Sequence, residues 1–296
     1  MTGNCFHPWG KSEADAASAL IRLALAEDLN GAGDLTSDLL VPSDRLGSAV
    51  FVARAAGVVA GLPIVPMVLE AVTPGSVSVE FLCTDGTPVT KGMPLARVHG
   101  RTRTILTAER TALNFLQRLS GVATQTRRFA DQLAGLPCVL LDTRKTTPGW
   151  RVLEKYAVRC GGGSNHRMGL YDGILIKDNH LAAVADHPRP VAYAVEEARR
   201  QVGSRVPIEV EVETLEQLEE ALSVRPDVVL LDNMNLDTLR TAVARRNAVA
   251  PQVRLEASGG VRLENLRAIA ETGVDRISVG ALTHSAVSLD IALDHE

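Results

Sequence analysis

The residues best suited to chemistry in this 296-residue chain are cations and carboxylates gathered around short apolar runs. Between Arg144 and His180 the chain carries Arg144, Lys145, Arg151, Lys155, Arg159, His166, Arg167, Lys177 and His180, with few acids among them. Arginine offers a bidentate fork to carboxylate or phosphate and lysine a point charge, so the segment points to a multiply anionic substrate. The bland alternative is a solvated basic face. Within it, Gly161-Gly162-Gly163-Ser164-Asn165-His166-Arg167 reads as a flexible turn that lets backbone approach a ligand and presents His166 and Arg167 at its end.

A second group is acidic. In Ile208-Glu209-Val210-Glu211-Val212-Glu213 the period of a strand puts the aliphatic side chains on one face and the carboxylates on the other. With the apolar face against helices, the glutamates point inward, where an unpaired carboxylate is costly or takes up a proton. The alternative is an edge strand with a solvated face. Asp232-Asn233 closes another run, and Ser258-Gly259-Gly260 and Gly280-Ala281 follow two more. Gly-rich turns before helices at the last strand ends suit a phosphate held on backbone N–H groups. Opposed cations and carboxylates fit glycosyl or phosphoribosyl transfer. Carboxylates would hold ribose hydroxyls and steady an oxocarbenium-like centre, while cations and Mg²⁺ would take a leaving pyrophosphate.

The elements that must position these groups follow from periodicity. Short apolar runs recur at Val139–Leu141, Ile174–Ile176, Ile208–Val212, Val228–Leu231, Val253–Leu255 and Ile277–Val279, with helical patterns at Val191–Arg200, Leu215–Leu222, Leu236–Arg246 and Leu263–Thr272 between them. Such alternation predicts βαβ units and a parallel sheet, with the polar strand ends converging on one face. Six runs predict an incomplete α/β barrel. Ahead of it, an opening helix (Ser18–Glu27) and β-rich runs at Ala49–Ala53, Ser76–Phe81 and Leu95–Val98 predict a smaller N-terminal α+β sheet domain, followed by a long helix at Thr107–Ala134 that Gly121 could interrupt. The fold class is therefore α/β, with the N-terminal domain at 1–107, the barrel at 108–284 and a C-terminal helix at 285–296 returning to the N-terminal domain. Lys91, in a turn resembling that of lipoyl or biotinyl carriers, lacks their flanking residues and reads as a solvated turn lysine.

Composition excludes several classes. Thirty-one Lys and Arg against 35 Asp and Glu leave a net charge of −4, without the basic excess of nucleic-acid binders, and 3% aromatics leave few rings for stacking. The longest uncharged run, Ala55–Leu69, is broken by glycine and proline, so no membrane span is expected. Met1–Ala16 shows no secretory succession, and Cys5, Cys83, Cys138 and Cys160 are scattered, which predicts reduced packing cysteines in a cytoplasmic protein.

Longer motifs carry a resemblance. Asp142-Thr143-Arg144-Lys145-Thr146-Thr147-Pro148-Gly149, the glycine-rich segment ending in His166-Arg167, Ile176-Lys177-Asp178-Asn179-His180, Leu231-Asp232-Asn233 and Glu256-Ala257-Ser258-Gly259-Gly260 are similar to those of quinolinate phosphoribosyltransferases. Glu27-Asp28-Leu29, Gly33-Asp34-Leu35-Thr36-Ser37, Glu109-Arg110-Thr111-Ala112-Leu113-Asn114 and Val279-Gly280-Ala281-Leu282-Thr283-His284 extend the resemblance from about Ala19 to Leu293. It implies reaction of quinolinate with 5-phosphoribosyl 1-pyrophosphate, with Mg²⁺, to nicotinate mononucleotide, pyrophosphate and CO2. It also implies an α/β N-terminal domain on an incomplete barrel, in a homodimer or higher oligomer whose sites draw on both chains.

Carried over by motif, Arg144, His166, Arg167 and Lys177 would clamp the two quinolinate carboxylates, and Arg110 would reach the neighbouring site. Lys145 would meet substrate or pyrophosphate anions. Glu211 and Asp232 would hold the ribose hydroxyls and, through water, Mg²⁺, with Glu213 as the fallback for Glu211. Ser258, Gly259, Gly260 and Gly280 would hold the 5′-phosphate, and Trp150 would pack outside the chemistry. Rival readings are a paralogous phosphoribosyltransferase for another aromatic acid, nicotinate included, and a non-catalytic phosphosugar-binding protein.

Overall fold

The computed structural model describes residues 8–296. Helices α1 (Lys11–Leu29) and α2 (Leu35–Leu40) lead into β1 (Leu46–Ala53), β2 (Gly57–Val58), α3 (Ile64–Val72), β3 (Val77–Phe81), β4 (Pro88–Val89), β5 (Pro94–Arg101) and the long α4 (Thr102–Gln132). Strands and helices then alternate through β6 (Val139–Leu141), α5 (Arg151–Cys160), β7 (Ile174–Ile176), α6 (Asp178–Ala182), α7 (Pro190–Val202) and β8 (Ile208–Val212). The remainder is α8 (Leu215–Val224), β9 (Val228–Asp232), α9 (Leu236–Val249), β10 (Arg254–Ser258), α10 (Leu263–Ala270), β11 (Arg276–Ser278), α11 (Ala281–His284) and β12 (Ile291–His295).

The chain packs as two units. One runs to Arg127 and adds Lys145–Gly163 and Leu282–Glu296; the other joins Arg128–Arg144 to Ser164–Ala281. Boundaries expected at 107/108 and 284/285 do not follow this packing, because most of α4 serves the first unit. Leu116, Leu119 and Ala123 are fully buried on one helical face, and Ser120 and Thr124 accept the backbone N–H groups of Ala60 and Val58 at 3.0 and 2.9 Å. The helix passes through Gly121 without interruption. A Cβ there would collide with the backbone of Val287 and Ser288, so the glycine admits a chain crossing and does not end the helix.

In this first unit an antiparallel sheet has the order β12-β1-β5-β3. The expected C-terminal helix is instead β12, paired antiparallel with β1 (Phe51 opposite Leu293). Its sequence Ile-Ala-Leu-Asp-His buries Ile291 and Leu293, two apart, which is strand periodicity. Trp150 stacks on Phe115 at 4.7 Å between centroids. Lys91 is exposed in the turn between β4 and β5.

The second unit holds a parallel sheet in the order β6-β11-β10-β9-β8-β7. Strand β8 lies between β7 and β9, which removes the edge-strand reading of its glutamates. Both of its faces are buried: Ile208, Val210 and Val212 on one, Glu209 and Glu211 on the other. Each fully buried aliphatic side chain of this kind contributes about 1.5–3 kcal/mol. Short capped turns then fix where the strand ends lie. Thr214 accepts the Gln217 N–H at 3.2 Å, Gln217 accepts the N–H groups of Glu213 and Thr214, and α8 begins at once. Asn235 caps α9 through the N–H groups of Asp237 and Thr238.

Candidate active site

The structure distributes the expected site residues along the second unit's sheet. Arg144 follows β6, His166 and Arg167 precede β7, Lys177 immediately precedes α6, Glu211 lies in β8, Asp232 ends β9, Ser258 ends β10 and Gly280 follows β11. Ser258 and Asp232 stand in register, as do Glu211 and Leu230, so Glu211, Asp232 and Ser258 share one face of the sheet. Lys145 and Arg110 belong to the first unit, where both are exposed. The Lys145 carbonyl accepts the Thr283 hydroxyl at 2.7 Å.

The cationic part hangs from the end of β6. Ser164 bridges to Leu141 in parallel, and the fully buried Asp142 accepts the His166 N–H at 2.8 Å and the Asn165 side-chain amide at 2.7 Å. Asp172 closes the next turn by accepting the N–H groups of Met168 and Gly169 at 2.7 and 2.8 Å. Arg167 donates through Nη1 to the Gly173 carbonyl at 2.8 Å. Burial, and then the charge of Arg144, push the Arg167 guanidinium below its ordinary range. The Nε groups of Arg144 and Arg167 are buried without an acceptor. Two mutually repelling guanidinium groups with unmade hydrogen bonds favour an anion that supplies both charge and acceptors.

The carboxylate part follows along the sheet. Lys177 forms an ion pair with the buried Glu211. Glu213 lies beyond the strand end and is exposed. Asp232 accepts the Asn233 side-chain amide at 2.6 Å, and the Asn233 N–H donates to the Ser258 carbonyl at 2.9 Å. This brings Asn233 against Gly259, whose φ is +85° and whose Cβ, if present, would collide with the Asn233 side chain. Gly260 has φ +60° with open space where its Cβ would lie. Hard carboxylate oxygens at Glu211 and Asp232, on the sheet face that ends in this glycine turn, fit Mg²⁺, which binds through one or two carboxylates and keeps several waters.

Some expectations change. The cationic segment is divided: Arg151, Lys155 and Arg159 sit on α5 in the first unit, where Arg159 pairs with Glu13 at 2.8 Å. Gly161 and Gly163 are not a ligand-facing turn, because a Cβ at either would strike Thr126 of α4; they permit close helix packing. His180 accepts the Lys177 N–H through Nδ1 at 2.9 Å, a local cap. Sequence reasoning gave no role to Asp142, Glu209, Glu256 or Arg276, which the structure places on or beside the sheet as buried or half-buried charges. The parity that singled out Glu211 also covers Glu209, and Glu256 lies two residues before Ser258 on the same face.

Known proteins resemble this chain over nearly its whole length. The family descriptions "Quinolinate phosphoribosyl transferase, N-terminal domain" and "C-terminal domain" match residues 34–120 and 122–294. The chain is 46% identical over 283 residues to the nicotinate-nucleotide pyrophosphorylase (carboxylating) of Mycobacterium leprae, covering 95% of this chain and 98% of that one. It is 45% identical to a probable enzyme of the same name from Bacillus subtilis, covering 90% and 89%. The solved structure of the Francisella tularensis nicotinate-nucleotide pyrophosphorylase superposes with a TM-score of 0.87 at 38% identity, covering 95% and 96%. Human nicotinic acid phosphoribosyltransferase, at 16% identity and a TM-score of 0.56, shares the fold alone. With both halves of the family pattern matched in order and 46% identity to a relative over 95% of the chain, the chain belongs to the quinolinate phosphoribosyltransferase family.

Proposed function

We propose that the chain transfers the phosphoribosyl group of 5-phosphoribosyl 1-pyrophosphate to quinolinate with decarboxylation, giving nicotinate mononucleotide, pyrophosphate and CO2 for NAD synthesis. The observation that carries this reading is the pair Arg144 and Arg167, whose buried Nε donors lack acceptors. Two adjacent carboxylates supply what this pair lacks. Arg144, Arg167 and Lys177, with His166 beside them, hold the dicarboxylate so that its ring nitrogen faces the anomeric carbon. Glu211 and Asp232 hold the ribose hydroxyls and offset the positive charge that develops as pyrophosphate leaves. The C–N bond forms, and the ring nitrogen becomes positive. The carboxylate next to it can then depart as CO2, because the bond's electrons are stabilised beside that nitrogen before a proton replaces the lost group.

Ser258, Gly259, Gly260 and Gly280 hold the 5′-phosphate on backbone N–H groups. Lys145 meets pyrophosphate or substrate anions. Glu211 and Asp232 would hold Mg²⁺ through water, where it would neutralise pyrophosphate charge. The working assembly is a homodimer, or a higher oligomer built from it, in which Arg110 serves the neighbouring site. The reading includes a cytoplasmic setting. Among the described residues no helix is long and apolar enough to cross a membrane. The test is an assay for CO2 and pyrophosphate release with quinolinate or nicotinate as acceptor. Release with quinolinate alone supports the assignment; equal turnover of nicotinate, or turnover unaffected by removing Mg²⁺, contradicts it.

A further inference from the structure

One side-chain layer below the strand ends, on the face that carries Glu211, lies a group of charges that the proposed reaction does not use. Glu209 is on β8, Glu256 on β10 and Arg276 on β11, with Glu256 and Arg276 in register. Glu256 is fully buried and Glu209 nearly so. Arg276 donates to Glu256 Oε2 through Nε and Nη2 at 2.8 and 2.6 Å, and its Nη2 lies 3.9 Å from Glu209. Above them, His166 Nε2 stands 3.0 Å from Glu209 Oε2 and 3.6 Å from Glu256 Oε1. The other ring nitrogen, Nδ1, accepts the backbone N–H of Arg167 at 2.8 Å. Both nitrogens of His166 are thus engaged by the protein, in a pattern that requires a proton on Nε2 and a lone pair on Nδ1.

We propose that Glu209, Glu256 and Arg276 are positioning residues. They lock the His166 ring as the Nε2–H tautomer and, through its Nδ1, hold the main chain of Arg167, so that recognition of an adjacent dicarboxylate depends on this buried layer. His166 then orients the cationic pocket while the guanidinium groups of Arg144 and Arg167 meet the ligand. This rests on the proposed dicarboxylate site. The electrostatics agree with a tightly held ring. Burial favours the neutral imidazole, but the hydrogen bond to Glu209 and the charges of Glu209 and Glu256 outweigh it and raise the His166 pKa. Any second proton must go to Nδ1 and displace the Arg167 N–H.

His166, Glu209 and Glu256 also have the residue types of a cation site, with ligand atoms within 4.8 Å of one another. The guanidinium of Arg276 already supplies the compensating positive charge there.

The experiment combines a tautomer measurement with binding and kinetics on the full chain. In ¹⁵N-histidine-labelled protein in alkaline buffer, His166, assigned by its loss in His166→Gln, is expected to show a protonated Nε2 and an unprotonated Nδ1. Glu209→Gln and Glu256→Gln, which keep an acceptor oxygen but remove the charge, are each expected to raise the quinolinate KM about fivefold to tenfold, the scale of a buried charge-assisted hydrogen bond reduced to a neutral one, with the KM for phosphoribosyl pyrophosphate unchanged. Binding of phthalate, which keeps adjacent carboxylates but has no ring nitrogen to react, should weaken by a similar factor. An Nδ1–H tautomer overturns the proposal. So does an equal rise of both KM values with a lower melting temperature, or a stoichiometric divalent metal that disappears in Glu256→Gln. Should wild-type protein bind phthalate and show the Nε2–H tautomer without turning over quinolinate, the reaction assignment fails while the positioning role stands.

Discussion

Two arginine arrangements, one in each unit, show how buried charge that builds a fold differs from buried charge that awaits a ligand. In the first unit Arg118 donates to Glu154 through Nε and Nη2 at 3.1 and 2.6 Å, and to the carbonyls of Ala286 and Thr283 at 2.7 Å. Glu154, fully buried, also accepts the N–H and hydroxyl of Thr147 at 3.1 and 2.9 Å. Every strong donor there meets an acceptor, and the pair ties α4, α5, the loop after Lys145 and the C-terminal segment together. In the second unit Arg144 and Arg167 repel each other, and their buried Nε groups meet no acceptor. The first arrangement contributes stability; the second gives up stability that an anion can restore.

Substitutions can break this contrast or sharpen it. The largest effect is expected from Arg144→Ala, which should lower kcat/KM for quinolinate roughly 10³-fold, about 4 kcal/mol, as for truncating one partner of a buried charge pair. Its urea-unfolding midpoint should hold or rise, because a like-charge repulsion is removed. Arg118→Ala should do the reverse, costing about 3 kcal/mol in urea unfolding by stranding the Glu154 carboxylate. A stability loss in Arg144→Ala as large as that in Arg118→Ala would erase the distinction.

A smaller effect separates two glycines at one strand end. Gly259→Ala should cost about 2 kcal/mol and raise the KM for phosphoribosyl pyrophosphate, since it combines strained backbone with a collision at Asn233. Gly260→Ala, with open space around it, should show only the backbone cost of about 1 kcal/mol.

The smallest expected change is at Asp34, in the first unit. It caps α2 by accepting the Ser37 N–H at 3.0 Å and hydroxyl at 2.6 Å. Those two bonds hold its pKa below the ordinary 3.8. Because the folded-state pKa is depressed, the stabilisation is present above the unfolded value and lost as pH falls through the folded one. Asp34→Ala should therefore cost about 1 kcal/mol near neutrality, and the difference from wild type should shrink in acid unfolding curves below roughly pH 4.

Much of the second unit was legible because its strands are short, apolar and closed by polar residues, and because alternation in Ile208–Glu213 fixes a face without any knowledge of neighbours. The same alternation could not say that Glu213 falls past the strand end, which the Thr214–Gln217 cap decides. Arg276 was invisible for a different reason. A lone arginine beginning a strand has no sequence signature, and its role appears only once Glu256 stands beside it in register. In the first unit, α4 continues through Gly121 and β12 replaces a helix because both depend on contacts distant in sequence, with Val287 in one case and β1 in the other. The run Gly161–Gly163 misled for a related reason: glycine signals close approach, and here the approaching backbone is a helix.

Arg144 and Arg167, with their buried Nε donors unmet and their like charges repelling each other, call for a dianion. Calorimetric titration of the ligand-free protein with quinolinate and, separately, with nicotinate tests it. The two unmade hydrogen bonds predict quinolinate binding about 100-fold tighter, with that preference largely lost in Arg144→Ala. Equal affinities for the two acids, or a preference that survives Arg144→Ala, would contradict it.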